Sequence, residues 1–458
     1  MEGPPDPRRR LAPRVWAEVR APRRVAGLVW GEVKSPLYRN AIFIMLSSII
    51  GTGFGFFFWI IVTRVYTPED AGYALTLVQT LSFLASIGTL GLGIGLLRFL
   101  PESDNPKALV NIALSISGAF GAVLALVFAL GVRLWSPRLS FILSDWVYIP
   151  ILVVTGMVYA FAPIVDQTVI ALRRADLATW RNTVFSILKL PLPFVFVIWV
   201  TGPLGGRLGV YMSISLAFGV SVLVAGFLFL PRIIPGFAPR PRFSRRRVRP
   251  IFRFSIGNWV ATTIASGAIL LLPILILNTL ADEAHVTYFY TAYTIAGLLY
   301  IIPGATMTSF LAEASQANSH HRRDERKAIL LTLVLLAPGI AGIWLLSGVL
   351  LSLFGRPEYV AFGVAPLRIL SLASIPVFLN GIFGTRVRIR KKTRPLIAAA
   401  AIEIAVTLGL GYVLLAQSGL EGLAIAFVVG QAAATPLLWA TAGAALETEP
   451  VEPTTVPP

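Results

Sequence analysis

The residues best placed to do chemistry in this sequence are the few ionisable side chains inside long apolar stretches. Asp166, Lys189 and Glu403 each lie among apolar neighbours. An ionisable group at membrane depth is costly, so it usually pairs with a partner, lines a water-filled path or binds a substrate or ion. An ammonium attracts phosphate, and a buried carboxylate binds protons or cations. These residues predict binding or ion handling within a membrane.

The sequence places Asp166 and Lys189 at similar depth. Asp166 lies about six residues before the inner end of the fourth apolar stretch, and Lys189 about seven residues after the inner start of the fifth. At 1.5 Å per residue, both lie roughly 9–11 Å above the cytoplasmic boundary. We predict either an ion pair between the two or a cavity-lining role in handling substrate or protons.

Further polar residues extend this set. Glu403 lies about eight residues into the eleventh stretch and requires a partner, a cation or a proton. Glu403 and Asp166 are the candidates for binding a coupling ion, although for Glu403 a hydrogen-bonded structural role is the favoured prediction. The predicted substrate-contacting or cavity-lining residues are Lys189, Asp166, Arg98, Asn258 and Gln79.

Three of these side chains have a structural alternative. Arg98 ends the second apolar stretch at the cytoplasmic face, where it could attract a diphosphate or only anchor the helix. Gln79 and Asn258 could line a cavity or form hydrogen bonds between neighbouring helices. The sequence leaves these alternatives open.

The elements that must position these residues are transmembrane helices. A spanning helix needs roughly 20 mostly apolar residues, and its backbone groups must be satisfied within the segment. Only 13% of the residues are charged, against about a quarter in soluble domains. Twelve stretches are long enough: 41–63, 71–97, 108–131, 148–172, 182–201, 208–230, 255–279, 286–310, 328–354, 362–384, 395–415 and 422–444. We predict an all-α, polytopic membrane protein with twelve transmembrane helices.

The basic residues are sorted between the connectors. Of the 39 Arg and Lys, 32 lie on the N-terminal segment and on the connectors after even-numbered helices. Short positively charged loops stay in the cytoplasm, so we predict a multi-pass protein of the cell membrane with both termini inside. The basicity then serves topology and contact with anionic membrane lipids, and no nucleic-acid partner is expected.

The longest basic connector divides the predicted helices into six and six. It carries eight Arg and lies either in the headgroup region or as a solvated tether. Residues 63–84 and 278–299 resemble each other, which favours two six-helix lobes in the same orientation with a cavity between them. The predicted domains are a basic segment 1–40, an N-lobe 41–230, a linker 231–254, a C-lobe 255–446 and a Pro/Glu-rich tail 447–458.

The predicted outer loops disfavour an enzyme. The longest runs only from Val132 to Trp146, whereas membrane enzymes that act on glycans at the outer face usually carry a large loop or domain there. The chain contains no cysteine, so thiolate metal sites are excluded, and the three histidines do not have metal-site spacing. We predict no enzymatic activity, no cofactor and no metal.

Several passages resemble a known family. The run at 45–102, which includes GTGFGFFFWIIVTRVYTPEDAGYA, resembles the opening of prokaryotic polysaccharide biosynthesis proteins of the multidrug/oligosaccharidyl-lipid/polysaccharide (MOP) flippase superfamily. Residues 170–192, 257–280 and 288–315 are similar to them as well. The resemblance covers about residues 39–445, and its motifs are diffuse and hydrophobic, so they indicate the family better than the substrate.

The resemblance implies a fold and a task. Members are expected to form a V-shaped, MATE-like pair of six-helix lobes. They are expected to carry a polyprenyl-diphosphate-linked glycan to the outer leaflet, and glycan-assembly enzymes are expected partners. Lys189 falls on the family's pattern at the start of the fifth helix. The scarcity of deep cationic residues and the lack of two extra helices depart from the flippases of peptidoglycan precursors.

Two alternatives to the flippase remain. The first is a cation-coupled antiporter for drugs or small molecules with the same fold, in which Asp166 or Glu403 would be the coupling site. The second is a membrane-embedded glycan ligase or polymerase, which the short outer loops disfavour. A major-facilitator transporter does not fit, because RFLPESDNPKA at 98–108 lacks the expected Gly, Asp and Arg signature.

Overall fold

The computed structural model describes residues 36–199, 206–314, 321–389 and 393–443. Within these ranges the chain forms helices and no strand, which confirms the all-α prediction. The helices of the first half are α1 (Pro36–Val65), α2 (Pro68–Gly88), α3 (Leu92–Phe99), α4 (Pro106–Leu130), α5 (Val132–Trp135), α6 (Tyr148–Ala171), α7 (Ala175–Leu188), α8 (Leu192–Trp199), α9 (Gly209–Val224) and α10 (Leu230–Ile233). Those of the second half are α11 (Arg245–Leu270), α12 (Leu272–Leu280), α13 (Glu283–Ala314), α14 (His321–Ser352), α15 (Pro357–Leu372), α16 (Ser374–Ile389) and α17 (Arg394–Ala442). Two short pieces are a 3₁₀ turn at Pro137–Leu143 and a π-helical turn at Ala225–Phe229.

Local sequence explains where several helices begin. Thr67 precedes α2 and accepts a hydrogen bond from the Asp70 backbone N–H at 3.2 Å. Asn105 precedes α4 and accepts one from the Ala108 N–H at 3.0 Å. In both cases a proline follows the capping residue, where its missing N–H has no helical partner to lose. These caps place the helix starts at the ends of short connectors.

Eleven helices in the described residues are long and apolar enough to span a membrane. The last of them, α17, is 49 residues long but is interrupted at Gly419, which has φ 60° and ψ −144°. The two halves of α17 lie antiparallel, since Gly422 packs against Leu414 and the Gln431 amide donates to Glu403 at 2.6 Å. The eleventh and twelfth predicted stretches therefore form a helical hairpin, and the count of twelve crossings stays a prediction.

The two halves of the chain meet along helices that contain the two similar segments of the sequence. We call α1–α10 the N-lobe and α11–α17 the C-lobe. The α13 helix packs against α1 and α2, and α11 packs against α2 and α3. Gly72 of α2 lies directly against the Glu283 backbone at the start of α13, where a Cβ would collide with the Glu283 carbonyl. The similar segments 63–84 and 278–299 are thus neighbours at the interface.

Most hydrogen bonds between the lobes lie at the end of the bundle that the charge pattern assigns to the outside. The Tyr73 hydroxyl donates to Glu283 at 2.7 Å, and the Thr287 hydroxyl donates to the Pro68 carbonyl at 2.7 Å. Ser136 and Asn278 are joined at 2.7 Å. The lobes are therefore held together at this predicted outer end.

The connector between the lobes is attached to the N-lobe. After α10, residues 234–244 form turns and extended backbone before α11 begins. The Asn111 side chain donates to the Ala238 carbonyl at 3.0 Å and accepts from the Arg240 N–H at 3.1 Å. Ser115 accepts from the Arg242 N–H at 2.8 Å. Residues 238–242 are thus fixed along α4 and do not form a free tether.

Candidate functional site

The second predicted membrane span is broken in its inner half. Between α2 and α3 the backbone turns at Leu90 and Gly91, which have φ values of 49° and 69°. A side chain at Gly91 would meet the Trp259 Cβ at 2.7 Å, so this turn lets α11 of the C-lobe approach closely. The Trp259 indole N–H donates to the Ser86 carbonyl at 3.0 Å across the lobe interface. The glycine-rich run at 88–95 therefore shapes the contact between the lobes.

A cavity of about 480 Å³ lies beside this break. It is formed by the end of α2, α3, α6 and α11, so both lobes contribute to it. More than half of its lining residues are polar, and none is charged. The polar ones are Ser86, Thr89, Gln167, Asn258, Thr262, Thr263 and Ser266. We call this space the inter-lobe cavity.

The structure places three predicted residues along the lobe interface. Asn258 lines the inter-lobe cavity with an exposed side chain. Gln79 lies deeper and donates to the Tyr290 hydroxyl at 3.2 Å, so it links α2 to α13. Arg98 is exposed at the end of α3, with its guanidinium carbon 6.0 Å from the centre of the Phe254 ring of α11. Of the predicted candidates, only Asn258 lines the cavity.

The predicted ion pair between Asp166 and Lys189 is wrong. Asp166 instead binds Arg181 through two hydrogen bonds of 2.7 and 2.6 Å. The reason is the helix start, since α7 begins at Ala175 and not near residue 182. Asp166 lies five residues before the end of α6, and Arg181 six residues after the start of α7, so their depths match. Lys189 lies about 12 Å further along the helix axis.

Lys189 lies against aromatic rings. Its side-chain nitrogen is 4.8 Å from the centre of the Phe185 ring and 5.5 Å from that of Phe58. The residue is 6% exposed and forms no ion pair with a carboxylate among the described residues. Cation–π contacts of this kind stabilise an ammonium only in part. Lys189 therefore remains a buried cation that could receive an anion.

Glu403 belongs to a hydrogen-bonded network inside the C-lobe. It accepts from the Gln431 amide at 2.6 Å, and the Asn380 amide donates to the Gln431 carbonyl at 2.8 Å. The Thr435 hydroxyl donates to Asn380 at 2.8 Å. Among the described residues, no cationic side chain forms an ion pair with Glu403. The Gln431 amide is thus the hydrogen-bonding partner that a carboxyl group at this depth requires, but no cation in the described part of the chain neutralises Glu403.

Several residues of these sites were not predicted from the sequence. Arg181 was counted with a connector, although it lies inside α7. Trp259, Ser86 and Tyr290 form two of the contacts between the lobes, but hydroxyl and aromatic side chains are common throughout membrane helices. The sequence signals near this contact are the close spacing of glycines at 88–95 and the amide of Asn258 in an apolar stretch.

Comparison with known proteins assigns this chain to a family. Residues 37–310, more than half of the chain, match the family described as polysaccharide biosynthesis protein. The chain belongs to this family. The inter-lobe cavity and the Asp166–Arg181 pair both lie within the matched residues, whereas Glu403 lies beyond them.

A curated relative agrees with this assignment. The chain is 26% identical over 346 residues to the succinoglycan biosynthesis transport protein ExoT of Rhizobium meliloti. The match covers 73% of this chain but only 65% of the length of that relative.

Solved structures share the fold. An inward-facing multidrug resistance MATE family transporter of the MOP superfamily matches with a TM-score of 0.62 and 17% identity, covering 87% of this chain and 97% of its own. An outward-facing multidrug resistance MATE family transporter of the MOP superfamily gives 0.54 at 17% identity, with coverage of 89% and 94%. A MOP superfamily transporter from Pyrococcus furiosus, whose structure is described as having a binding pocket of reverse polarity, gives 0.57 at 14% identity, with coverage of 89% and 94%. The protein therefore has the MATE-like, multi-pass membrane fold.

Proposed function

We propose that this protein carries a polyprenyl-diphosphate-linked oligosaccharide, or a similar lipid-linked glycan, from the inner to the outer leaflet by alternating access. The lipid tail stays in the bilayer, and the glycan crosses between the lobes. Family membership and the fold support transport for polysaccharide biosynthesis. The name of the curated relative, a transport protein of succinoglycan biosynthesis, supports a glycan as cargo. The cell membrane, with both termini in the cytoplasm, is the proposed location.

The chemistry of the inter-lobe cavity is the observation that carries this proposal. Its hydroxyl and amide side chains are uncharged, which suits the hydroxyl groups of sugars. Trp259 forms part of one wall and offers an apolar surface. Moving unpaired hydroxyls through hydrocarbon costs several kcal/mol per group, on the order of 4–8 in a fully apolar medium. The hydroxyl and amide groups on the cavity wall replace part of the lost water and lower that barrier.

Two cations of the N-lobe are the proposed sites for the anionic part of such a substrate. Arg98 is exposed at the inner end of α3, one residue beyond Leu97 of the cavity lining. Its guanidinium can form paired hydrogen bonds with phosphate oxygens. Lys189 supplies a second, buried cation in the N-lobe. In this proposal Arg98 receives the diphosphate at the cytoplasmic side, and Lys189 attracts it during transfer.

The drug antiporter is the alternative, and Glu403 is the observation in its favour. Its carboxylate is hydrogen-bonded by Gln431 and has no counterion among the described residues, so it is the better candidate for a coupling ion. Asp166 is disfavoured in that role because Arg181 already neutralises it. The family match does not favour drugs over glycans.

The test is reconstituted transport. The full-length protein is placed in proteoliposomes with a defined polyprenyl-diphosphate-linked oligosaccharide, and glycan reaching the other leaflet is measured with a membrane-impermeant glycosidase. Asn258→Ala and Thr262→Val should each slow transfer severalfold, because each removes a polar group from the cavity wall.

Thr441→Val is the matched control. The hydroxyls of Thr262 and Thr441 both donate only to carbonyls of their own helix, but Thr441 lies outside the cavity lining. Equal transfer by all three variants and the wild type, or no transfer of glycan but cation-driven efflux of a drug that Glu403→Gln abolishes, would overturn the proposal.

A further inference from the structure

A second cavity, separate from the inter-lobe cavity, lies on the N-lobe beneath the connector. It has a volume of about 380 Å³, within the usual range of ligand pockets, and is lined by α4, α6, the π-helical turn after α9 and residues 239–243. The lining is mostly apolar, and Met157 and Phe161 lie deeper, beside Gly118 of α4. We call it the linker groove.

The polarity of the linker groove changes along α4. Asn111 and Ser115 lie at its cytoplasmic end, where they hold the connector backbone. Gly118 and Ala119 follow one turn deeper, where the Phe161 ring packs directly against Gly118 and makes the wall of the groove apolar. On an α-helix these positions share one face, so the groove runs about 12 Å from a polar end to an apolar end. That gradient matches an amphiphile lying parallel to the helix.

The polar end of the linker groove is cationic. Arg240 of the connector belongs to the lining and is exposed. Lys107, one turn before Asn111, reaches the connector at Gly236, where its amine lies 2.8 Å from the position that a Cβ would take. No acidic side chain lines the groove within the described residues. The connector at 231–254 carries eight Arg and no acidic residue, so the charge favours a phosphate.

We propose that the linker groove binds one anionic diacyl phospholipid of the cytoplasmic leaflet. An acyl chain lies between α4, α6 and the π-helical turn, and the phosphate is held by Arg240 and Lys107. The lipid fills space that would otherwise leave the lining side chains without contacts. It also fixes residues 238–242 against the N-lobe, adding to the three hydrogen bonds that join this backbone to the Asn111 and Ser115 side chains. This site does not depend on which substrate is transported.

Native mass spectrometry of the full-length protein in detergent tests the site, with phosphatidylglycerol or phosphatidylcholine titrated in separate experiments. The wild type should retain one phosphatidylglycerol. Arg240→Gln should weaken its binding about tenfold, the loss expected for one charge-assisted hydrogen bond, and leave phosphatidylcholine unchanged. Gly226→Leu should abolish retention, because Gly226 lines the groove and the space beside it is open, so leucine fills the groove without a clash.

Two matched variants serve as controls. Gly219→Leu makes the same change two turns earlier on α9, outside the lining, and Arg232→Gln removes an exposed arginine of the connector that does not line the groove. Both should retain the lipid as the wild type does, and circular dichroism should show all four variants folded. Equal retention by Gly226→Leu and Gly219→Leu, or equal losses in Arg240→Gln and Arg232→Gln, would overturn the proposal. Displacement of phosphatidylglycerol by an equimolar polyprenyl phosphate would overturn it too, since the groove would then belong to a substrate lipid.

Discussion

At the scale of single residues, charge inside the N-lobe is handled in two different ways. Arg181 has a side chain only 4% exposed and binds Asp166, with further hydrogen bonds to Asn182 and Ser221. This cluster is locally neutral and satisfied. Lys189, two turns further along, contacts the Phe185 and Phe58 rings and has no carboxylate partner among the described residues. The Asp166–Arg181 cluster stabilises the lobe, whereas Lys189 is a cation available to bind an anion.

The Asp166–Arg181 pair predicts strong coupling in a double-mutant cycle. Arg181→Gln should destabilise the protein by about 3–5 kcal/mol, because it leaves a carboxylate unpaired in a low-dielectric setting. Combining it with Asp166→Asn should cost clearly less than the sum of the single losses. Thermal unfolding in detergent measures each term. As the control, Asp166→Asn combined with Lys189→Gln should be additive within about 0.5 kcal/mol.

Lys189 predicts a functional effect without a loss of protein. Lys189→Met should reduce glycan transfer about 10- to 100-fold, because a charge-assisted contact with the substrate is lost, and Lys189→Arg should retain most of it. Transfer is measured in proteoliposomes at matched protein amounts. Arg368→Gln is the control. It removes a partly buried cation of the C-lobe, where Arg368 contacts Ser347 and Trp344, and should leave transfer unchanged. Normal transfer by Lys189→Met would rule out this role.

At the scale of elements, hydropathy predicted the helices but not their ends. The fifth and seventh predicted stretches begin near 182 and 255, whereas α7 begins at Ala175 and α11 at Arg245. Hydropathy detects residues at hydrocarbon depth, but a helix continues into the headgroup region, where arginines are stable. Because the predicted start of the fifth stretch was about seven residues too late, Arg181 was assigned to a connector and not to a helix. Asn258 could be found because an amide in an apolar stretch is rare, while its neighbour Trp259 carried no such signal.

The hairpin in α17 predicts a sharp contrast between two of its glycines. At Gly422 a Cβ would collide with the Leu414 carbonyl on the opposite half, whereas nothing lies within 4 Å of that position at Gly409. Gly422→Ala should cost about 1–3 kcal/mol of stability, as overpacking does. Gly409→Ala should be neutral or slightly stabilising. A similar drop in melting temperature for both variants would contradict the antiparallel packing of the two halves.

At the scale of the whole molecule, the lobes are closed at their predicted outer end. Ser136 and Asn278 meet there at 2.7 Å, and Glu283 binds Tyr73. Alternating access requires these contacts to separate during each cycle.

Cross-linking tests that requirement directly, because the natural chain contains no cysteine. Ser136→Cys with Asn278→Cys should cross-link under oxidation and stop transfer, and a reductant should restore it. Thr306→Cys with Thr332→Cys is the control, since these side chains meet at 2.7 Å within the C-lobe and need not separate. Undiminished transfer by the cross-linked Ser136/Asn278 pair would exclude opening at this end.

The attachment of the connector to α4 sets a geometric limit on such motion. The Arg242 backbone is hydrogen-bonded to Ser115, and α11 begins at Arg245. Only three residues therefore join the attached part of the connector to the C-lobe. Fully extended, these residues span about 11 Å. The cytoplasmic ends of the two lobes can therefore rotate relative to each other, but they cannot separate by more than this distance where the connector joins them.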